Sequence, residues 1–527
     1  MRKIIITAIA AFAFSNVVQA QELKTKPNWQ NLDFERDGIR GMSVEKAYEL
    51  LKGKPSKTVV VAVIDGGVDT QHEDLKDVMW INPKEIAGNG KDDDNNGFID
   101  DINGWDFIGG KDGQDVHYEQ LELTRLLKKY KTKFGEKPSK RMIRKNKAEY
   151  ELMQKLQVEF EEKSQQGQQN LPFYKQLLNT MTESEKILKE YLKTENLTKE
   201  AVMGIDESQA DRKVRAAKQV LGRSYEMGFT VADIQEGVDH FEEETKYNLN
   251  LDYDARKIVG DNPQKLEYGT YGNAEVRGPD ASHGSHVAGI IAANRGNNLG
   301  ILGVCDNVRI MAVRAVPSGD ERDKDVANAI RYATDNGASI INMSFGKPYS
   351  PEKKWVDEAV KYAQSKGVLL VAAAGNDNLD IDVDVHYPVK NYDGGGQAEN
   401  WITVGAFAWK PSPESIADFS NYGQKGVDVF APGVDIYSTL PDSKYKEQSG
   451  TSMAAPATTG VAALLKAYFP NLTAAQIKKI IVESSQKLPD LKVYKPGTKE
   501  IVNFSELSAT GGVVNAYNAI KMAMEMK

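Results

Sequence analysis

The chain of 527 residues, 40% of them hydrophobic, is too long for one ordinary domain and has ample apolar material for a core. Its formal net charge of −8 gives no electrostatic case for a nucleic-acid partner. The single cysteine, Cys305, excludes an internal disulfide framework and is expected to pack as a small apolar residue near the strand from Val308 to Val313.

The chain opens on Arg2 and Lys3, runs apolar from Ile4 to Phe14, and reaches Val18-Gln19-Ala20 ahead of Gln21. That layout predicts a secretory signal peptide over residues 1–20 and hence an exported protein, periplasmic or secreted. The apolar run is too short to span a bilayer and no other stretch is a spanning candidate, so no transmembrane anchor is expected. Residues 21–57 read as an N-terminal extension with Trp29 and a helix from Val44 to Leu51.

Val59 to Ile64 are six apolar residues in a row, which read as a strand buried on both faces, with Asp65 at its C-terminal end. Open α/β sheets place their functional groups at that end. Farther on, Asp92, Asp94 and Asn96 alternate ahead of Gly97, as at the start of an EF-hand loop, and Asp100 is placed to complete the shell. Asn103 stands where such a loop carries glutamate. So many carboxylates in a short loop predict a structural calcium ion; the plainer alternative is a polar turn that needs no metal. No organic cofactor is expected.

From residue 117 to residue 250 the composition turns charged and apolar stripes recur at helical spacing, among them Leu123, Leu126, Tyr130 and Val214, Ala217, Leu221. Thr230 followed by Asp233 resembles a helix start. This stretch is expected to be an inserted, mainly helical subdomain. Its basic portion, Leu121 to Tyr150, offers a docking face for a protein partner, set against the plainer reading of a solvated helix surface.

His283 and His286 lie in His283-Gly284-Ser285-His286-Val287-Ala288-Gly289, which opens an apolar helical stretch. Predicted strands at 308–313, 338–343, 368–373 and 402–407 then alternate with helices such as 325–334 and 352–364, the pattern of an α/β fold with a parallel sheet wrapped by helices. Last comes Gly450-Thr451-Ser452-Met453-Ala454-Ala455-Pro456, a small-residue turn running into an apolar helix. Alone, Thr451 or Ser452 reads as a helix cap. A serine at a helix start is also well placed as a nucleophile whose attack on a carbonyl makes an oxyanion, provided a histidine takes its proton and a carboxylate holds that histidine. Asp65, His283 and Ser452 supply such a set, with His286 as a structural neighbour.

These blocks, in the order Asp, His, Ser, resemble the subtilisin-like serine protease (subtilase) family. Ile341-Asn342-Met343-Ser344-Phe345-Gly346 is similar to the family's substrate-binding strand, and Ala372-Ala373-Ala374-Gly375-Asn376 to the stretch that carries its oxyanion-hole asparagine. Val427 to Gly433 is similar to the segment leading to the serine. Gly66 departs from the family, which usually carries serine or threonine beside the catalytic aspartate. The match runs from about residue 43 to 103 and from 278 to 519.

The resemblance implies a subtilisin-like catalytic domain over residues 58–116 and 251–527, interrupted by the helical insertion at 117–250. It implies a secreted serine endopeptidase acting on polypeptides through an acyl-enzyme. Ser452 would be the nucleophile, His283 the base, Asp65 its orienting partner and Asn376 an oxyanion donor. Ser344, Phe345 and Gly346 would bind substrate as an added strand, and Ala374 and Gly375 would wall a pocket roomy enough for a large apolar side chain. Asp74 matches an aspartate that ligates a second calcium in some members, but the loop Asn297 to Gly300 is shortened here. The extension at 21–57 is short for the folded inhibitory propeptide of many relatives. Two other functions stand beside this one: an inactive scaffold that presents the insertion to a partner, against which the intact set of Asp65, His283, Asn376 and Ser452 argues, and acyl transfer to an amine or alcohol by the same triad.

Overall fold

The computed structural model of the protein describes residues 25–526, so the signal peptide expected at residues 1–20 lies outside the described residues. The chain forms two compact units: one runs up to His117 and resumes at Arg256, and the other comprises Tyr118–Ala255.

The first unit is built on a nine-stranded sheet. In chain order its main strands are β1 (Val59–Asp65), β2 (Gly104–Asp106), β3 (Val308–Arg314), β4 (Ile340–Met343), β5 (Leu369–Ala373), β6 (Trp401–Phe407) and β7 (Val429–Pro432). Two short strands, Gln486–Lys487 and Gly512–Val513, extend the edge beside β7. Across the sheet the main strands run β7-β6-β5-β4-β1-β3-β2, all in parallel pairs. The continuous apolar runs anticipate this, because strands covered on both faces have no polar side to show. The largest shift of a strand boundary is at β4: residue 338 is expected in a strand, but the Ala338 N–H still bonds Ala333 O of the preceding helix, and β4 begins at Ile340.

One face of the sheet, with Val61, Val63, Ile310, Ile340, Leu369 and Val371, shares a core with two helices. These are Ser282–Ala292, which carries His283, and Thr451–Tyr468, which carries Ser452. The latter is buried at every residue from Met453 to Leu465. Its low charge and small side chains suit a helix covered all round. Cys305 lies in the same core.

The second unit is mainly helical. Its longest element, Lys147–Leu192, has 46 residues, roughly 69 Å of helix at 1.5 Å per residue. Helices Arg212–Glu226 and Val231–Glu243 pack on it and bury Val214, Ala217, Leu221 and Ile234 with Met181 and Leu188. Thr230 and Asp233 form the reciprocal cap at the start of the last helix. The unit's two chain ends are tied together: Gln120 Nε2 donates to Asn250 O at 2.6 Å and Tyr253 Oη to Tyr118 O at 3.1 Å.

Candidate active site

The chain order of the sheet reverses around β1, which has β4 on one side and β3 on the other. Such a switch point opens a crevice at the C-terminal ends of the strands. Since β5, β4 and β1 are neighbours and parallel, their C-terminal ends bring three segments to one edge: Asp65 at the end of β1, Ser344-Phe345-Gly346 after β4, and Ala374-Gly375-Asn376 after β5.

The His283 helix starts against the turn that follows β1. Gly284 allows this approach, as a methyl at its Cα would meet Gly67 O at 2.1 Å. His283 Nδ1 lies 2.8 Å from Asp65 Oδ1 and 3.0 Å from Oδ2. Asp65 Oδ1 also accepts from the Gly66 N–H at 2.8 Å, so the main chain of Gly66 supplies a hydrogen bond although its side chain has none to offer. Gly66 O in turn accepts from Arg314 Nε at 2.8 Å, and Arg314 is anchored by Asp106 at 2.7 Å. The Asp65 side chain is 3% exposed and that of His283 43%. A carboxylate accepting at Nδ1 holds the proton on that nitrogen and leaves the Nε2 lone pair on the opposite edge of the ring. Desolvation pulls the His283 imidazole down, but the charge and hydrogen bond of Asp65 outweigh it, and its pKa lies above the ordinary 6.5. His286 behaves differently: burial pushes its imidazole down to about 3, and its Nε2 sits 3.0 Å from Lys446 O. A neutral, buried ring bonded to the main chain is a packing residue.

Ser452 is the second residue of its helix. Its Oγ donates to Ser344 O at 3.1 Å, so the structure brings Asp65 and His283 into hydrogen-bond contact and aims the serine hydroxyl at β4's extension. The carbonyl of Ser452 would ordinarily accept from the residue four positions on, which is Pro456 and has no N–H. Ser344 Oγ takes that place, donating to Ser452 O at 2.9 Å. Ser344 Oγ is held by Asn342 Nδ2 at 2.9 Å, and Asn342 Oδ1 by Thr459 Oγ1 at 2.8 Å. A relay of three side chains therefore fastens the serine's turn to the end of β4.

The loop after β5 is fastened from two sides. Asn376 Oδ1 accepts from the Thr451 N–H at 2.8 Å and from Thr451 Oγ1 at 2.9 Å, while Thr451 Oγ1 accepts from the Gly375 N–H at 3.1 Å. With its oxygen so engaged, the Asn376 amide has its Nδ2 on the side away from Thr451. Buried Asn421 donates to Ala374 O and accepts from the N–H groups of Asp377 and Leu379. Thr451, Asn342, Thr459 and Asn421 are not among the sequence candidates. Only Pro456 gave a signal, since a proline four residues after Ser452 announces a carbonyl that needs another donor.

In the acidic loop, one carboxylate oxygen each from Glu85, Asp92 and Asp94 lie within 4.8 Å of one another, the one such acidic group among the described residues. Their nearest cation, Lys84 Nζ, is 3.8 Å from Asp94 and mostly exposed. Three converging carboxylates suit a hard divalent cation. The whole loop is also knit by main-chain N–H groups: Asp92 accepts from those of Asn96 and Gly97, Asp94 from that of Asn96, and Glu85 from those of Asp93, Asp94 and Asp100, and the other two expected ligands are bonded in the same way. Asp100 accepts from the N–H groups of Asn89 and Gly90, and Asn96 Oδ1 from that of Phe98. Glu85 comes from outside the alternating motif, and this is why sequence spacing does not reveal it.

A model of the subtilase family matches residues 56–501. A thermophilic serine proteinase of Bacillus sp. (strain AK1) is 39% identical over 240 residues, 45% of this chain and 52% of that one. Subtilisin DY of Bacillus licheniformis and subtilisin Savinase of Lederbergia lenta are each 37% identical, over 217 and 216 residues, covering 41% of this chain and 74% of their own length. The chain thus aligns with about half of the thermophilic proteinase and three quarters of the two subtilisins.

Proposed function

The chain belongs to the subtilase family of serine peptidases, and on that premise we propose that it is an exported endopeptidase that cleaves polypeptides through an acyl-enzyme on Ser452. The observation that carries this reading is the buried Asp65 carboxylate bonded to Nδ1 of a partly exposed His283. Such a pair sets the tautomer in which Nε2 accepts a proton.

A turn of the Ser452 side chain about χ1 would release Ser344 O and present Oγ to His283 Nε2. Oγ attacks the substrate carbonyl while Nε2 takes its proton. The oxyanion is met by Asn376 Nδ2 and by the main-chain N–H of Ser452, at the positive end of its helix. His283 then returns the proton to the leaving amine, and water repeats the sequence to free the acid. The substrate lies as an added strand along Ser344, Phe345 and Gly346, held by main-chain hydrogen bonds. Export rests on the layout of residues 1–20.

A fluorophosphonate probe tests the reading: covalent labelling at Ser452 is expected, and an unlabelled, folded protein would leave the inactive scaffold as the better account. Product masses with and without an added amine separate hydrolysis from acyl transfer.

The histidine pKa has a readable consequence. Since His283 must be neutral to act as base, kcat/KM is expected to rise with pH through an acid limb centred above 6.5. In Asp65→Asn the opposing charge is gone and desolvation remains, so the limb should move to lower pH. An identical midpoint in both proteins would separate Asp65 from the titration.

We assign Glu85, Asp92 and Asp94 as carboxylates for a structural calcium ion, supported by their convergence. An ion held only by the folded state stabilises it by mass action. Chelation is therefore expected to lower Tm in the parent protein and to leave Asp92→Asn with Asp94→Asn unmoved. A parent Tm indifferent to chelator would reduce the loop to a polar turn.

A further inference from the structure

On the reading just given, the side chain on the acyl side of the scissile bond enters between two stretches of main chain, Ser344–Gly346 and Ala374–Gly375. The ring of His386 reaches both of them. A methyl built on Gly346 would come within 2.2 Å of His386 Nε2 and 2.7 Å of its Cδ2. One built on Gly375 would come within 2.9 Å of Cε1 and 3.0 Å of Nε2. The same edge of one imidazole thus closes on both walls, and the two glycines lack the Cβ atoms that would displace it.

The ring is held in that place by its main chain. Next to Gly346 and His386, Lys347 and Tyr387 exchange both backbone hydrogen bonds, at 2.9 and 2.8 Å, in an antiparallel bridge. The His386 side chain is 15% exposed, and its Nδ1 faces Asp377 Oδ2 at 3.9 Å. Gly375 has φ +102, a backbone conformation that disfavours any larger residue, and Asn421 Nδ2 would stand 2.3 Å from a methyl there. Neither wall can therefore be rebuilt by a simple side-chain change, and the depth between them is left to His386.

We propose that His386 sets the cleavage specificity of this protein by closing the inner end of the acyl-side pocket, so that peptides with a short side chain at that position, such as alanine, serine or valine, are cleaved and those with phenylalanine, tyrosine or tryptophan are rejected. This replaces the expectation of a large apolar residue, drawn from the small size of Ala374 and Gly375. The proposal selects by length and not by charge. Desolvation lowers the His386 imidazole below 6.5, with Asp377 opposing in part, so the ring is neutral at pH 7 and gives an acidic side chain no counter-charge.

The test uses the full chain and a set of fluorogenic peptides that differ only in the acyl-side residue, alanine, valine, leucine or phenylalanine. Rates are normalised to the concentration of serine titrated by a fluorophosphonate. In the parent protein, kcat/KM for alanine should exceed that for phenylalanine. In His386→Gly the ratio should invert, with phenylalanine gaining on the order of 10²-fold relative to alanine, the scale on which apolar pockets discriminate. His386→Ala should move the ratio in the same direction, and it serves if the glycine variant does not fold. A purely structural role would lower all four rates together. A parent that already prefers phenylalanine, or a ratio unmoved in a variant that still titrates, overturns the proposal and leaves the peptidase reading standing. A parent that neither titrates nor cleaves any peptide overturns both.

Discussion

Ser452→Ala is expected to lower kcat on the order of 10⁶-fold, the scale of the same deletion in a subtilisin, a relative of this chain. The size follows from the interdependence of the three side chains. On the proposed mechanism, once Oγ is absent His283 would have no proton to accept, and the Asp65–His283 hydrogen bond, geometrically intact at 2.8 Å, would orient a base with nothing to act on. What remains is the oxyanion site and substrate binding. The fold should survive, because Ser452 Oγ makes one hydrogen bond, to Ser344 O, while the bonds that fasten this turn run through Ser452 O and Thr451. Circular dichroism and Tm near those of the parent, with no fluorophosphonate uptake and no peptide cleavage, is the expected result. Residual cleavage within tenfold of the parent would remove Ser452 as nucleophile.

Asn376→Ala is expected to lower kcat by about 10² to 10³, the cost of one oxyanion donor, a figure that also comes from a subtilisin. The argument specific to this chain is the orientation of the amide. Two donors of Thr451 hold Asn376 Oδ1, and the reverse placement would set an NH₂ group against an N–H and a hydroxyl. The donor nitrogen is thus pre-aimed, and in the proposed role its contribution would appear only as charge develops on the substrate oxygen. KM should change little while kcat falls. A rise in KM at constant kcat would make Asn376 a substrate-binding residue and refer the oxyanion to the Ser452 N–H alone.

Much of the fold was legible in the chain because its signals are local. The strand ending at Asp65 announces itself by a run of apolar residues that only a doubly covered strand can bury, and the small-residue turn before Met453 announces a helix that is covered all round. Both are consequences of how the neighbouring residues partition from water, and need no knowledge of the rest of the molecule. The helical character of the unit Tyr118–Ala255 is written in the same way, in stripes such as Val214, Ala217 and Leu221, which are buried in its core. The bonds from Gln120 to Asn250 and from Tyr253 to Tyr118, which tie the ends of the helical unit, join residues far apart in the chain and have no local signal.

For the candidate site, the sequence by itself determined the chemical groups and their order: a carboxylate closing a strand, an imidazole opening one helix and a hydroxyl opening another. Only the tertiary structure decided what surrounds them. Thr451 holding the Asn376 amide, Ser344 replacing the N–H that Pro456 lacks, Glu85 joining Asp92 and Asp94, and His386 lying against two glycines are contacts between segments that meet only when the loops at the edge of the sheet fold together. The reason is physical. Periodicity records which side of an element meets water, but a glycine wall records only that there is room for something to come close. Whether that is a substrate side chain or the protein's own imidazole depends on a segment whose approach is set by the bridge between Lys347 and Tyr387, a hydrogen-bonded pairing that no local pattern announces.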